Sequence, residues 1–266
     1  MPGKRPTVAD ILSLKGKHQL AMLRVMTLEE ADAAERAGVE LLSVPPALME
    51  RREFRDAAPN AFVFAGLEYG DAATTAEYLR AAFRMLKATA DAVYCAASLT
   101  TIRRMRDEGI PVCGHSGLIP SQATWTGGFS TVGKTAKSAA FVWNQVTALE
   151  AAGAFSAEIE VVPAEVAAAI SERTSMFMIS MGAGAGCDAQ YLFAEDVLGA
   201  NRGHVPRHAK TYRNFAAEYD RLQSERIAAF REYASDVRTS AYPEARHTVG
   251  IEPSELDAFL ATLPKH

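Results

Sequence analysis

The sequence predicts a parallel α/β protein, and three observations carry that expectation. Short apolar runs alternate with helical patterns from residue 19 to about residue 200. Several of the runs are apolar almost throughout, and 266 residues is enough chain for one eight-stranded α/β barrel. The runs are Gln19–Val25, Glu40–Val44, Ala61–Leu67, Ala92–Ala96, Pro111–His115, Ser156–Val162 and Ser175–Met181. A parallel strand covered on both faces has no solvated side, which explains why its apolar residues run on instead of alternating with polar ones. An eighth strand near His204–Pro206 would close a barrel. Periodicity alone leaves an open doubly wound sheet equally compatible.

The helices between these strands have start signals of their own. Thr27-Leu28-Glu29-Glu30 and Thr74-Thr75-Ala76-Glu77 have the capping-box spacing, in which the threonine oxygen and the glutamate carboxylate satisfy opposite backbone N–H groups. The second box leads into Leu79, Ala82, Phe83 and Leu86, an apolar stripe at helical spacing. Pro163 stands where the first residue of a helix belongs, ahead of the helix-forming run Ala164–Ile170. A long helix is expected over 209–235 with Tyr212, Phe215, Tyr219 and Leu222 on one face. A turn and a short helix after Pro253 follow in the tail 243–266. No repeat or linker interrupts the chain, so the expectation is one domain, 1–266, with an N-terminal helix and a C-terminal helical tail.

Composition narrows the function. Hydrophobic residues are 48% and charged residues 23%, with a net charge of −4. That profile suits a globular protein with a large core and gives no basic face for phosphate backbones, so nucleic-acid binding is not expected. No apolar run reaches the roughly 18 residues that a membrane span needs. The start, Met1-Pro2-Gly3-Lys4-Arg5-Pro6, has no apolar stretch of signal-peptide type. Cys95, Cys113 and Cys187 are an odd number at no metal-ligand spacing, which fits a reduced, cytoplasmic setting.

In α/β barrels the reacting groups sit at the carboxyl ends of the strands. That rule selects Arg24, Pro45, Pro46, Glu68, Tyr94, Cys95, His115, Glu160, Ser180 and Met181. Glu160 leads, because a carboxylate closing an apolar strand faces a partly desolvated pocket and suits a general base; the bland reading is a solvated acid or an ion pair. Glu158 points to the same side but deeper, as a buried, paired acid. His115 can donate to a carboxylate or carbonyl oxygen of a substrate, or be a core histidine bonded to backbone. The segment Ile119–Lys137, with Trp125, Gly127-Gly128 and Lys134, is long enough to be a lid, or else a loop at a subunit contact. Ser180 and Lys134 join Arg24, Tyr94 and Glu68 as candidate substrate-binding residues. Met181-Gly182-Ala183-Gly184-Ala185-Gly186 could be taken for a phosphate cradle, a weak signal on its own.

Four segments together carry a resemblance. They are Gly114-His115-Ser116-Gly117-Leu118 with Pro120 and Gln122; Gly127-Gly128 with Gly133-Lys134; Glu160-Val161-Val162-Pro163-Ala164-Glu165; and Gly182-Ala183-Gly184 with Cys187-Asp188 and Gln190. They resemble the ketopantoate hydroxymethyltransferases, (β/α)8 TIM barrels of the phosphoenolpyruvate/pyruvate-type superfamily. The resemblance decides for the closed barrel. It implies that Glu160 removes a proton from C3 of a 2-oxo acid, that methylenetetrahydrofolate can serve as co-substrate, and that the chain forms a homo-oligomer. It also implies that Gly182–Gly186 is a tight strand-to-helix turn lining the substrate pocket.

The same resemblance exposes departures. The family's Mg²⁺-binding acids correspond here to Pro46 and Gly66, and a further acidic residue of the family to Ala96. Its lysine corresponds to Tyr94, its serine to Ala47, and the tyrosine after its first strand to Met26. The stretch between the second and third strands is cut to Met49–Ala57. Mg²⁺ is therefore not expected at the family position and no metal ligands are assigned. Arg24 and Tyr94 are the groups placed to stabilise an enolate instead, and Glu68 alone makes a poor cation site. The reading is an enzyme making or breaking a carbon–carbon bond beside the carbonyl of a small 2-oxo acid or related carboxylate. Genuine 3-methyl-2-oxobutanoate hydroxymethyl transfer from methylenetetrahydrofolate is the first alternative, and a non-catalytic metabolite-binding barrel the second.

Overall fold

The computed structural model describes residues 5–67 and 69–264. Eight parallel strands close into a barrel: β1 (Leu20–Arg24), β2 (Leu41–Val44), β3 (Phe62–Gly66), β4 (Ala92–Tyr94), β5 (Val112–Gly117), β6 (Ser156–Glu160), β7 (Phe177–Met181) and β8 (Ala189–Phe193). Each pairs with the next, and β8 closes on β1 in the register Leu20↔Ala189 to Arg24↔Phe193. The seven apolar runs are β1 to β7, and the chain is a (β/α)8-type barrel.

The eighth strand is not where the sequence suggested. His204–Pro206 is loop, and β8 lies earlier, at Ala189–Phe193. The reason is the route between β7 and β8. Residues 182–188 form no helix but run back along the outside of the barrel, and Asp188 N–H reaches Met178 O at 2.9 Å. This return strip lies directly on the helix Ala164–Ser171. A Cβ on Gly184 would meet Ala164 Cβ at 2.4 Å, and one on Gly186 would meet Ala168 Cβ at 2.3 Å. The glycines therefore serve close backbone packing, and the expected strand-to-helix turn is absent.

The inward residues of the lower barrel form a dry floor of Met22, Leu41, Phe62, Phe64, Ala92, Cys113, Phe177, Ile179 and Tyr191. Phe62 and Phe64 meet edge-on at 5.0 Å, and Phe64 stacks on Phe155 at 6.0 Å. The N-terminal helix Val8–Ser13 sends Ile11 into this cluster and plugs the base. Fully burying such side chains contributes about 1.5–3 kcal/mol each, so the floor is scaffold and the chemistry has to sit above it.

Local signals work where the sequence put them, with small shifts. Thr74 and Glu77 form a complete capping box for the helix Thr75–Lys87. Thr27 accepts from Glu30 N–H, but Glu30 reaches Met26 N–H at 2.7 Å instead of closing the box. Pro163 caps the helix Ala164–Ser171 from one residue outside it. The chain divides into two compact units, one ending at Arg213 and the other beginning at Asn214. The second contains the helices Phe215–Arg238 and Pro253–Leu260. The long helix starts at Phe215 and not at 209, because Asn214 caps it and residues 209–213 belong to the first unit.

Candidate active site

Three strand ends meet at the mouth of the barrel. Along β4, β5 and β6 the side chains alternate inward and outward, so Tyr94, His115, Glu158 and Glu160 all point to the interior above the dry floor. Tyr94 Oη lies 2.5 Å from His115 Nδ1, and His115 Nε2 lies 3.0 Å from Glu160 Oε2. Glu158, one inward position deeper than Glu160, is buried and hydrogen-bonded to Tyr94. Both of the expectations for these acids hold in geometry: Glu160 closes the strand and Glu158 is the buried, paired one.

The electrostatics fit one proton arrangement. Burial lifts the Glu158 carboxyl to about 6, with His115 pulling it down and Glu160 pushing it up. Burial also holds the Tyr94 phenol well above its ordinary range, with the charge of Glu158 adding to the effect, so this hydroxyl stays protonated. For His115, burial works against the charged form, but attraction to Glu158 and the bond to Glu160 outweigh it and the imidazole pKa rises. An imidazolium satisfies the whole set. Nδ1–H donates to Tyr94 Oη, Tyr94 O–H donates to Glu158, and Nε2–H donates to Glu160. The proton positions follow from the network. Among the described residues, Glu160 Oε1 has no hydrogen-bond partner.

The backbone holds the base from both sides. Glu160 O accepts from Leu118 N–H at 2.9 Å, and Val161 N–H donates to Met181 O at 2.8 Å. Val161 has φ +48, a left-handed conformation that a β-branched residue rarely adopts. Strain of this kind, of order 1–3 kcal/mol, persists only where surrounding contacts fix it, and such residues cluster at active sites. Here it turns the chain sharply just past the carboxylate.

Of the cavities that flank the His115–Glu160 pair, two carry cations on their walls. One, of about 250 Å³, is lined by Arg24, Gly66, Tyr69, Tyr94, His115 and Ser121 among others. Arg24 ends β1 half-buried, with its guanidinium 5.7 Å from the Phe193 ring. The other cavity, of about 610 Å³, has Glu160 on its wall with Lys134, His204, Arg207, His208 and Phe129. His208 packs over Gly182, where a Cβ would come within 2.8 Å of the imidazole, so the loop before residue 209 is pressed onto the mouth.

Of the residues selected from the sequence, Arg24, Tyr94, His115 and Glu160 are brought together, and Lys134 joins Glu160 at the second cavity. Ser180 is not part of the site. It lies on the outward side of β7 between inward Ile179 and Met181, where its hydroxyl donates to Gly184 O at 2.8 Å and accepts from Ala183 N–H. Glu68 lies outside the described residues. His204 was missed because His204–Pro206 was read as a strand, and Arg207 and His208 because they fall between that strand and the helix expected over 209–235. The signal against that reading was Pro206, which cannot donate to a sheet ladder, among three basic or imidazole side chains in five positions.

His115, Glu158 and Glu160 offer three ligand atoms within 4.8 Å of one another, a geometry that a metal ion can use. His115 and Glu160 are already bound to each other and Glu158 to Tyr94, and the imidazole is a poor match for Mg²⁺, which prefers six oxygens. The residues that correspond to the family's acids fit Mg²⁺ no better. Pro46 opens the short helix Pro46–Met49 and Gly66 has no side chain. A Cβ at 66 would sit 3.7 Å from Arg24 Nη1, so a fixed positive charge already faces that position.

Comparison with known proteins decides the family. A family model for ketopantoate hydroxymethyltransferase matches residues 47–245. The chain belongs to that family. Its curated relatives include three proteins named 3-methyl-2-oxobutanoate hydroxymethyltransferase. The protein from Nitratidesulfovibrio vulgaris is 31% identical over 300 residues, covering 99% of this chain and 92% of the relative. That from Chloroflexus aggregans is 32% identical over 97% of this chain and 99% of the relative. That from Pseudothermotoga lettingae is 34% identical over 87% of this chain and 94% of the relative. Two solved structures share the fold. A putative phosphonomutase from Burkholderia cenocepacia aligns with a TM-score of 0.58 at 16% identity, covering 73% of this chain and 94% of its own. A putative lyase/mutase from the same organism aligns with a TM-score of 0.53 at 12% identity, covering 96% and 95%. Family membership places the chain among enzymes of carbon–carbon bond chemistry, and the solved structures show the fold alone. No helix among the described residues is long and apolar enough to cross a membrane.

Proposed function

We propose that this barrel makes or breaks a carbon–carbon bond next to the carbonyl of a small 2-oxo acid, with Glu160 as the base and no divalent ion at the family position. The observation that carries the reading is the relay Tyr94–His115–Glu160, with a free carboxylate oxygen opening on a cavity. Glu160 removes the proton from the carbon adjacent to the carbonyl. The enolate oxygen that forms needs positive partners, and Arg24 and the imidazolium of His115, both lining the smaller cavity, supply them. Tyr94 holds the imidazole in place and keeps Nδ1 satisfied. Arg24 faces the empty side-chain position at Gly66, so its charge stands where a metal-binding acid would otherwise point. The test is proton exchange: metal-stripped protein is incubated with 2-oxo acids in D2O and loss of C3–H is followed by NMR. Exchange that vanishes in Glu160→Gln supports the reading. Undiminished exchange in that variant removes Glu160 from the base role.

A second reading has its own support. Relatives named 3-methyl-2-oxobutanoate hydroxymethyltransferase match almost the whole chain, which favours the same transfer here, with methylenetetrahydrofolate as the one-carbon donor. Formation of ketopantoate from 3-methyl-2-oxobutanoate and methylenetetrahydrofolate distinguishes it from the first reading. Assembly into a homo-oligomer is proposed with either. The helix Phe215–Arg238 exposes Tyr219, Phe230 and Tyr233, an apolar surface suited to covering.

A further inference from the structure

The cavity of about 610 Å³ on the far side of Glu160 has an unusual balance of charge. Its wall carries Lys134 and Arg207 and the imidazoles of His204 and His208, against the one carboxylate of Glu160, and burial pushes the His208 imidazole toward its neutral form. No ion pair engages Lys134 or Arg207 among the described residues. The backbone that carries Arg207 and His208 is held in place. The loop that carries Arg207 and His208 is tied by Asn201, whose side chain donates to Asp196 Oδ1 at 2.8 Å and accepts from Gly203 N–H at 2.8 Å. It is closed by Ala209 N–H to Pro206 O at 2.9 Å and seated by His208 on Gly182. Two cations without an ion pair, facing the single carboxylate of Glu160, leave this wall net positive and suited to an anion.

The positions give that anion a meaning. Arg24 lines the cavity on one side of the His115–Glu160 pair, and Arg207 and Lys134 line the cavity on the other. A substrate reaching across the base meets positive charge at both ends. We infer that the substrate is a dicarboxylate: its 2-oxo acid end lies toward Arg24 and Tyr94, and a second carboxylate lies on Arg207 and Lys134, with His208 closing the pocket. This inference rests on the Glu160 reading above for the orientation of the first carboxylate. The second carboxylate takes no part in bond making, so its recognition selects the substrate and does not drive the reaction.

A matched pair of compounds tests it. 2-Oxoglutarate and 2-oxopentanoate share a five-carbon chain and differ only in a carboxylate or a methyl at C5. Binding of each to the whole, metal-stripped protein is measured by calorimetry, for the wild type and for the Lys134→Gln/Arg207→Gln double variant. Both substituted residues are exposed, and thermal melts check that folding is intact. Charge-assisted hydrogen bonds of this kind are worth about a ten-fold change in affinity or more each. The wild type is expected to bind 2-oxoglutarate at least about ten-fold more tightly than 2-oxopentanoate, and the double variant to lose that gap. Equal binding of the two compounds by the wild type, or a gap that survives in the double variant, overturns the inference. So does a double variant that weakens tetrahydrofolate but not 2-oxoglutarate, because the anion site would then serve a second substrate. Failure of the Glu160 reading shows separately, as C3–H exchange that persists in Glu160→Gln whatever the binding gap.

Discussion

The two sides of the barrel mouth are built from opposite chemistry. On the β4–β6 side the inward strand ends are Tyr94, His115 and Glu160, hydrogen-bonded in series over a buried acid. On the β1–β3 side the strand ends are Arg24, Val44 and Gly66, with no carboxylate among the described residues there. The first side groups the residues to which the proposed function gives the proton transfer. The second presents the Arg24 guanidinium, which the proposed function uses in place of a divalent ion. If the proposed function holds, removing a proton and stabilising the resulting charge are separable tasks within one barrel.

The largest effect that would sharpen this contrast is expected from Glu160→Gln. Removing a positioned base lowers rates by roughly 10²–10⁴, so C3–H exchange should fall by that much with the fold unchanged. Tyr94→Phe comes next. It takes the partner from His115 Nδ1 and the donor from Glu158, and we expect exchange to drop by about 10² through kcat more than KM. Gly66→Asp probes the other side. A carboxylate there would point at the Arg24 guanidinium and pair with it, so exchange should fall about ten-fold without rescue by Mg²⁺. Rescue by Mg²⁺ would break the contrast, because the site would then have accepted the ion.

The smallest effect concerns stability. The folded pKa of Glu158, about 6, lies above its ordinary 4.5, so its ionisation disfavours the folded state. Its contribution is fully present below about 4.5 and is lost as the pH rises through about 6. Glu158→Gln should therefore gain stability relative to the wild type as the pH rises across that window, measured by denaturant melts at each pH. A difference that does not vary with pH would remove Glu158 from the buried, charge-coupled role.

How much of this was legible in the sequence differs by region for physical reasons. Strands β1 to β7 announce themselves because burial on both faces demands uninterrupted apolar residues. β8 does not, since Ala189-Gln190-Tyr191-Leu192-Phe193 follows a glycine-rich strip that also fits a turn into a helix. Only the packing of Gly184 and Gly186 on Ala164 and Ala168 gives that strip its true path. Glu160 and His115 could be found from their places at strand ends. Ser180 could not be excluded, because in a run that is apolar throughout nothing marks which residues face inward. Arg207 and His208 were out of reach, since their place at the mouth depends on a loop docking onto Gly182 from more than twenty residues away.

The measurement that bears most directly on the account is the Mg²⁺ dependence of C3–H exchange by the wild type after exhaustive chelation. The account predicts exchange in the chelated protein at a rate that added Mg²⁺ leaves essentially unaltered. A chelated protein that is inert until Mg²⁺ is restored would contradict it.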